Sequence, residues 1–202
     1  MSKKIKILSS AIGYDLAADD YDKNESYLNS FEKNRFLPLL GNAKDKKILD
    51  VGAGTGRLAI QLAKMGAEVT ALDVSPKILD ELNKKYPNIK TVVGDAESLL
   101  FEDNSFDIVV ATFLIVHLKN PSLFFSEAYR VLKNSGKLLV TNINQKEPPK
   151  IKTKQGEIKI ESYYHQPKNI IKKIEELAFA VEKEIFIYEN DLWVNQIILA
   201  QK

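Results

Sequence analysis

From residue 46 to 144 the chain alternates between two hydrophobic patterns. Short continuous apolar runs, "KKILDVG", "AEVTALDVS", "NIKTVVGDA", "SFDIVVATF" and "GKLLVTNIN", read as five strands. They lack the in-out alternation of a one-sided sheet, so both faces are predicted to be covered. Between them lie segments with helical spacing. "TGRLAIQLAKMG" places Leu58, Leu62 and Met65 on one face and stops at Gly66. "SPKILDELNKKYP" carries a cap at Ser75 and proline at the first helical position, Pro76. "NPSLFFSEAYRVLKNSG" is bounded by Pro121 and Gly136. Strands and helices in this rhythm predict an α/β fold with a doubly wound, mostly parallel sheet and helices on both faces.

The rhythm changes after Asn144. "QKEPPKIKTKQGEIKIESYYHQP" is polar and alternates on both sides of "QG", which predicts a short hairpin. A last helix, "KNIIKKIEELAF", precedes "AVEKEIFIYE" and "DLWVNQIILAQ". Their connection at Asn190 and Asp191 is so short that these two strands must run antiparallel, giving seven strands with an antiparallel C-terminal strand. Upstream, residues 14 to 41 look helical in pieces, with rings at Tyr14, Tyr21, Tyr27, Phe31 and Phe36. There is no internal repeat and no linker long enough to mark a second domain, so one domain over 1–202 is expected.

Composition narrows the chemistry. The 202 residues carry 29 basic and 27 acidic side chains, a net charge of +2, which makes no electrostatic case for nucleic acid or a membrane surface as partner. Cysteine is absent, so disulfides, thiolate metal sites and cysteine nucleophiles are excluded. The basic start lacks the apolar core of a signal peptide, and no apolar run approaches the ~20 residues of a membrane span. A cytoplasmic protein is expected.

The segment "ILDVGAGTGRLA", residues 48–59, carries the candidate site. Gly52, Gly54 and Gly56 stand between the first strand and the first helix. In a doubly wound sheet that turn lies beside the ligand crevice, and glycines there let a ligand approach the backbone near a helix N-terminus. Asp73 closes the neighbouring strand, where it can accept hydrogen bonds from a ribose diol. Strand, glycine loop, helix and second-strand acid together point to an adenosine-containing cofactor. The spacing "DVGAGTG" fits poorly to the G-x-G-x-x-G of nicotinamide and flavin proteins, because Arg57 stands where their third glycine falls.

These motifs resemble those of small class I S-adenosylmethionine-dependent methyltransferases. "ILDVGAGTG" is similar to the family's first motif and "ALDVS" to its ribose-binding strand end. "VVGDAESLLFEDNSFDIVVA" resembles the adenine-side stretch, and "HLKNPSLFFSEAYRVLKNSGKLLV" the following helix and strand. The resemblance spans most of residues 14–201. It implies a Rossmann-like methyltransferase sheet, S-adenosylmethionine as cofactor with S-adenosylhomocysteine as product, and a small-molecule acceptor. It implies that Gly52, Gly54 and Gly56 line the methionine and ribose portion, with Asp50 holding the loop. Asp73, with Val74 beside it, would bind the ribose. Asp95 and Ala96 would meet the adenine, and Thr112 the amino-acid end. Residues 1–45 would form a helical lid carrying Tyr14 and Tyr21 over the cofactor, and 145–166 a substrate-side insert presenting Tyr163, Tyr164 and His165.

His117, His165 and Tyr21 are the candidates for catalysis. His117 has the alternative of packing at a helix start or helping to hold the cofactor's adenosine end, and His165 that of capping or packing before the helix at Pro167. The fourth strand runs into "ATFL", which lacks the adenine-amine methyltransferase motif and the acidic metal ligand of catechol-type enzymes, so no metal is expected. The nucleophile is then oxygen, nitrogen or activated carbon. Three other readings stand beside this one: a cofactor-binding module without turnover or dependent on a partner, a tRNA or protein methyltransferase, and a nicotinamide oxidoreductase. A monomer or homodimer is compatible with all of them.

Overall fold

The computed structural model describes residues 6–24, 30–32, 34–154 and 156–202. Tyr27 and Gln155, singled out from the sequence, lie outside the described residues. Seven strands form the main sheet: β2 (Lys47–Val51), β3 (Glu68–Asp73), β4 (Lys90–Val93), β5 (Phe106–Ala111), β6 (Leu132–Ile143), β9 (Ala180–Glu189) and β10 (Leu192–Gln201). Their order is β4-β3-β2-β5-β6-β10-β9. All contacts among the first five are parallel, and β10 is antiparallel to both β6 and β9. Asn190 and Asp191 both take positive φ, 46° and 63°, in the two-residue turn between β9 and β10. That turn type matches the twist of a tight hairpin.

Alternate residues of the central strands enter two cores. Leu49, Val51, Val109, Leu138 and Ile198 face one core with α4 (Pro121–Val131) and α5 (Pro167–Glu175). Ile48, Ile108, Val110, Leu139 and Ile197 face the other, with α2 (Ala59–Lys64) and α3 (Pro76–Lys85). This two-sided burial is why the strands read as unbroken apolar runs.

Two boundaries differ from the sequence reading, and both differences lie in the backbone. The glycine-loop helix starts at Ala59 rather than at Thr55, because Gly54 and Gly56 take φ of +57° and +90°, outside any right-handed helix. The helix expected to reach Gly136 ends at Val131. Leu132 already pairs with Phe106, and the register then jumps to Lys137 opposite Ile108. Ser135, at φ +61°, sits in the bulge between these pairs. Gly66 and Ser75 behave as read: Gly66 ends the helix at φ +87°, and Ser75 Oγ accepts from the Ile78 amide at 3.2 Å. Among the described residues no helix is long and apolar enough to cross a membrane.

A second, three-stranded sheet was only half visible in the sequence. The predicted hairpin is there, as β7 (Lys150–Thr153) and β8 (Gly156–Ile160). The N-terminal β1 (Ile7–Leu8) joins it, pairing in parallel with β8. Helix α1 (Ser10–Ala17) lies on this sheet so closely that a Cβ on Gly13 would stand 2.7 Å from Ile160 Cγ1. The N-terminal segment and the insert at 145–166 are therefore one structural unit, joined also by the Lys154–Asp19 ion pair at 2.6 Å.

Candidate functional site

A cavity of about 190 Å³ opens where β2, β3, β4 and β5 end. Its floor is the glycine loop. Gly52 and Ala53 donate their amides to the Leu72 carbonyl at 2.8 and 3.0 Å, which folds the loop back onto the end of β3. Gly54 donates to Asp73 Oδ2 at 2.9 Å and Ser75 to Asp73 Oδ1 at 3.0 Å. Asp73 is buried, and burial pushes its carboxyl above the usual range while the amides of Ser75, Gly54 and Val74 pull it back. A carboxylate has about four acceptor sites, so these three amides still leave room for a hydroxyl of a diol.

Gly56 explains why the third glycine is needed. A Cβ there would stand 2.2 Å from Leu82 Cδ1, a fully buried side chain of α3, and φ is +90°. We predict that Gly56→Ala costs about 2–4 kcal/mol of folding stability, from overpacking and left-handed strain together. Urea unfolding checks this, and an unchanged midpoint would contradict it.

Beneath the loop, Asp50 is fully buried. Burial pushes its carboxyl up to about 7, Arg57 opposes this, and Asp73 and Glu32 add to it. The Ala59 amide donates to it, yet Oδ2 has no hydrogen-bond partner. A buried carboxylate oxygen left open beside a glycine cradle fits a ligand with a cationic or hydrogen-bond-donating end.

The remaining walls come from four segments. Val74 follows β3, and Asp95, Ala96 and Glu97 follow β4. Asp95 Oδ1 accepts from the Glu97 amide at 2.9 Å, which shapes that turn. Thr112, Phe113 and Leu114 follow β5. Tyr14 and Tyr21 reach in from α1 and the 3-10 turn after it, Ala18–Asn24, with their rings edge to face at 5.7 Å. His117 completes the lining, from a 3-10 turn at Ile115–His117.

The cavity thus gathers Gly52, Gly54, Asp73, Val74, Asp95, Ala96, Thr112, Tyr14, Tyr21 and His117 from the sequence-predicted set. Gly56 and Asp50 support it from behind. Tyr163, Tyr164 and His165 lie outside the lining. His165 Nε2 lies 2.8 Å from the Leu118 carbonyl and therefore donates to it, while the His165 carbonyl accepts from Asn142. Tyr163 donates to Glu161 Oε1 at 2.7 Å, and Tyr164 packs near Trp193. Tyr164 and His165 thus tie the insert to the sheet, while the Tyr163 hydroxyl bonds within the insert.

Sequence reasoning missed several participants. Arg57 pairs with Glu32 through two bonds, at 2.7 and 2.9 Å, and donates to Thr112 Oγ1 at 3.1 Å. Arg57 could have been flagged as the first charge after the glycines; Glu32 gave no signal. Phe113 sits at φ +59°, its amide on Thr141 Oγ1 at 2.9 Å and its ring 5.5 Å from the Arg57 guanidinium carbon. Left-handed backbone at an aromatic residue is strained and typical of functional sites. Asp15 of α1 accepts from Ser75 Oγ at 2.5 Å and from the Lys77 amide at 3.3 Å, fastening α1 to the start of α3.

Comparison with known proteins gives concordant results. Residues 49–140 match a family described as a methyltransferase domain. The demethylmenaquinone methyltransferase of Chlorobaculum tepidum is 44% identical over 98 residues, which are 48% of this chain and 40% of that relative. The chain thus spans less than half of that relative's length. The Rickettsia prowazekii protein named ubiquinone/menaquinone biosynthesis C-methyltransferase is 32% identical over 187 residues, covering 85% of this chain and 71% of the relative. Among solved structures, an S-adenosylmethionine-dependent methyltransferase from Mesorhizobium loti superposes with a TM-score of 0.74 at 16% identity, covering 85% of this chain and 98% of that one, which shows a shared fold.

Proposed function

The chain belongs to the class I S-adenosylmethionine-dependent methyltransferases, and on that footing we propose that it transfers a methyl group from S-adenosylmethionine to a carbon, oxygen or nitrogen of a small organic acceptor. The observation that carries this reading is the cavity itself. It combines a glycine loop at a helix start, a buried acid placed for a diol, and an open buried carboxylate oxygen behind the loop. S-adenosylmethionine, when bound, supplies an electrophilic methyl on a sulfonium sulfur, so the protein's task is alignment and exclusion of water.

In this reading Asp73 holds the ribose hydroxyls, Val74 and Ala96 flank the adenine with Asp95 at its edge, and Thr112 and Arg57 face the amino-acid end. Tyr14 and Tyr21 close the cavity. Helix α1 and the three-stranded sheet act as one cover, fastened by Asp15 to Ser75 and by Tyr14 to His117. The relatives' names direct attention to a hydroquinone ring carbon as nucleophile. The near-neutral chain gives no support to an RNA acceptor.

The test is a mass-spectrometric assay with S-adenosylmethionine and a series of small acceptors, a naphthohydroquinone first. Methylated product that requires the protein supports the reading. No methylation across hydroquinones, phenols and amines, with the cofactor bound, would favour a non-catalytic module.

A further inference from the structure

The cover meets the cavity lining at Tyr14, which contacts His117 directly. Tyr14 Oη lies 2.7 Å from His117 Nε2, and His117 Nδ1 lies 2.9 Å from the Glu161 carbonyl. A carbonyl only accepts, so Nδ1 must carry the proton in the neutral ring and Nε2 is the basic nitrogen. Nε2 therefore accepts from the Tyr14 hydroxyl, whose oxygen keeps its lone pairs toward the cavity that both side chains line. The Glu161 carbonyl lies just past β8, so the cover supplies both the residue that orients the imidazole and the hydroxyl that meets it.

We propose that Tyr14 and His117 form a proton-accepting pair for an acceptor bearing a weakly acidic hydroxyl, such as a phenol or hydroquinone. The inference rests on the methyltransferase reading and names the acceptor chemistry of that same cavity. In the step, the acceptor O–H bond breaks and its proton goes to Tyr14 Oη, while the tyrosine's own proton passes to His117 Nε2. The electron pair stays on the acceptor, which becomes an anion, and His117 becomes an imidazolium. Neutral acceptor and neutral imidazole thus give one anion and one cation, with nothing else consumed. An ionised phenol is nucleophilic at oxygen and at the ring carbons beside it, the form an activated methyl requires.

The surroundings suit this role. Tyr14 faces Tyr21 and feels Asp73 across the cavity; Asp95 and Glu97 line the wall after β4. Among the described residues His117 has the tyrosine hydroxyl and the Glu161 backbone in hydrogen-bond contact, and no charged side chain. Burial holds its imidazole below the usual histidine range, so it stays neutral and able to accept at physiological pH.

The test uses the full chain saturated with S-adenosylhomocysteine and p-nitrophenol as the probe, because only the ionised phenol is yellow. We expect bound p-nitrophenol to show the anion's absorbance at a pH where the free phenol is protonated. Tyr14→Phe and His117→Gln should both abolish that band when each is measured at an S-adenosylhomocysteine concentration that its own titration shows to be saturating. Once an acceptor turns over, kcat should fall about hundredfold or more in either variant, with KM little changed. The wild-type rate should decline toward acid as His117 protonates, and His117→Gln should lose that limb. If the phenol fails to bind, binds protonated, or keeps the band in the variants, the pair is only a fastening of the cover. Failure to bind S-adenosylhomocysteine would instead sink the methyltransferase reading, and this inference with it.

Discussion

Asp73→Ala lowers the affinity for S-adenosylhomocysteine by about a hundredfold to ten-thousandfold. The carboxylate stands at the end of β3 with both oxygens engaged by backbone amides and still able to accept from a diol. Hydrogen bonds to a charged acceptor contribute about 1.5–3 kcal/mol each, so two of them account for the range. The loss has a second source. Gly54 is anchored to Asp73 Oδ2, so removing the carboxylate also frees the loop that cradles the ligand. Asp73→Asn separates the two contributions: it keeps one acceptor oxygen but offers Gly54 no second one, and should lie between wild type and alanine. Calorimetry measures the affinities and circular dichroism confirms the fold. Wild-type affinity in Asp73→Ala would remove Asp73 from the site.

The other large effect concerns stability. The Asp50 carboxyl has its usual value of 3.8 raised to about 7, a difference worth about 4 kcal/mol when fully expressed. The folded state therefore holds this proton better than the unfolded chain does. The stability it contributes is fully present below pH 3.8 and is lost as pH rises through about 7. Asp50→Asn carries no charge to desolvate, although its amide nitrogen takes the place of the unpartnered Oδ2, at a cost of about 1–3 kcal/mol. The difference leaves ligand-free Asp50→Asn more stable than wild type by about 1–3 kcal/mol at pH 8, with the advantage gone at pH 4. Denaturant unfolding at the two pH values checks this, and parallel pH dependence of the two proteins would contradict it. In the proposed function Asp50 holds the loop that cradles the cofactor, so Asp50→Asn should weaken cofactor binding while it stabilises the fold.

How much of this could be read from the sequence depends on how local each cause was. The parallel sheet was legible because its central strands are buried on both faces, and Leu49 or Val110 announce that by composition alone. The glycine loop was legible because left-handed backbone and close packing select glycine, as Gly56 against Leu82 shows. The tight turn at Asn190 and Asp191 left its own residue types behind. What stayed hidden is non-local. Glu32 meets Arg57 across 25 positions and Tyr14 meets His117 across 103, and no spacing rule reports such pairs. The insert looked like a substrate surface because Tyr163, Tyr164 and His165 are clustered in sequence. Their side chains instead bond or pack at Glu161, Trp193 and the carbonyl of the lining residue Leu118 without lining the cavity themselves, while the imidazole of His117 is held by the Glu161 backbone. A backbone carbonyl carries no sequence signature.

The most direct test of the account is calorimetric titration of the full chain with S-adenosylhomocysteine, with NAD as comparison and Asp73→Ala alongside. The account predicts micromolar binding of S-adenosylhomocysteine (about −8 kcal/mol), no binding of NAD, and loss of the signal in the variant. Absence of S-adenosylhomocysteine binding, or preference for NAD in the same cavity, would contradict it.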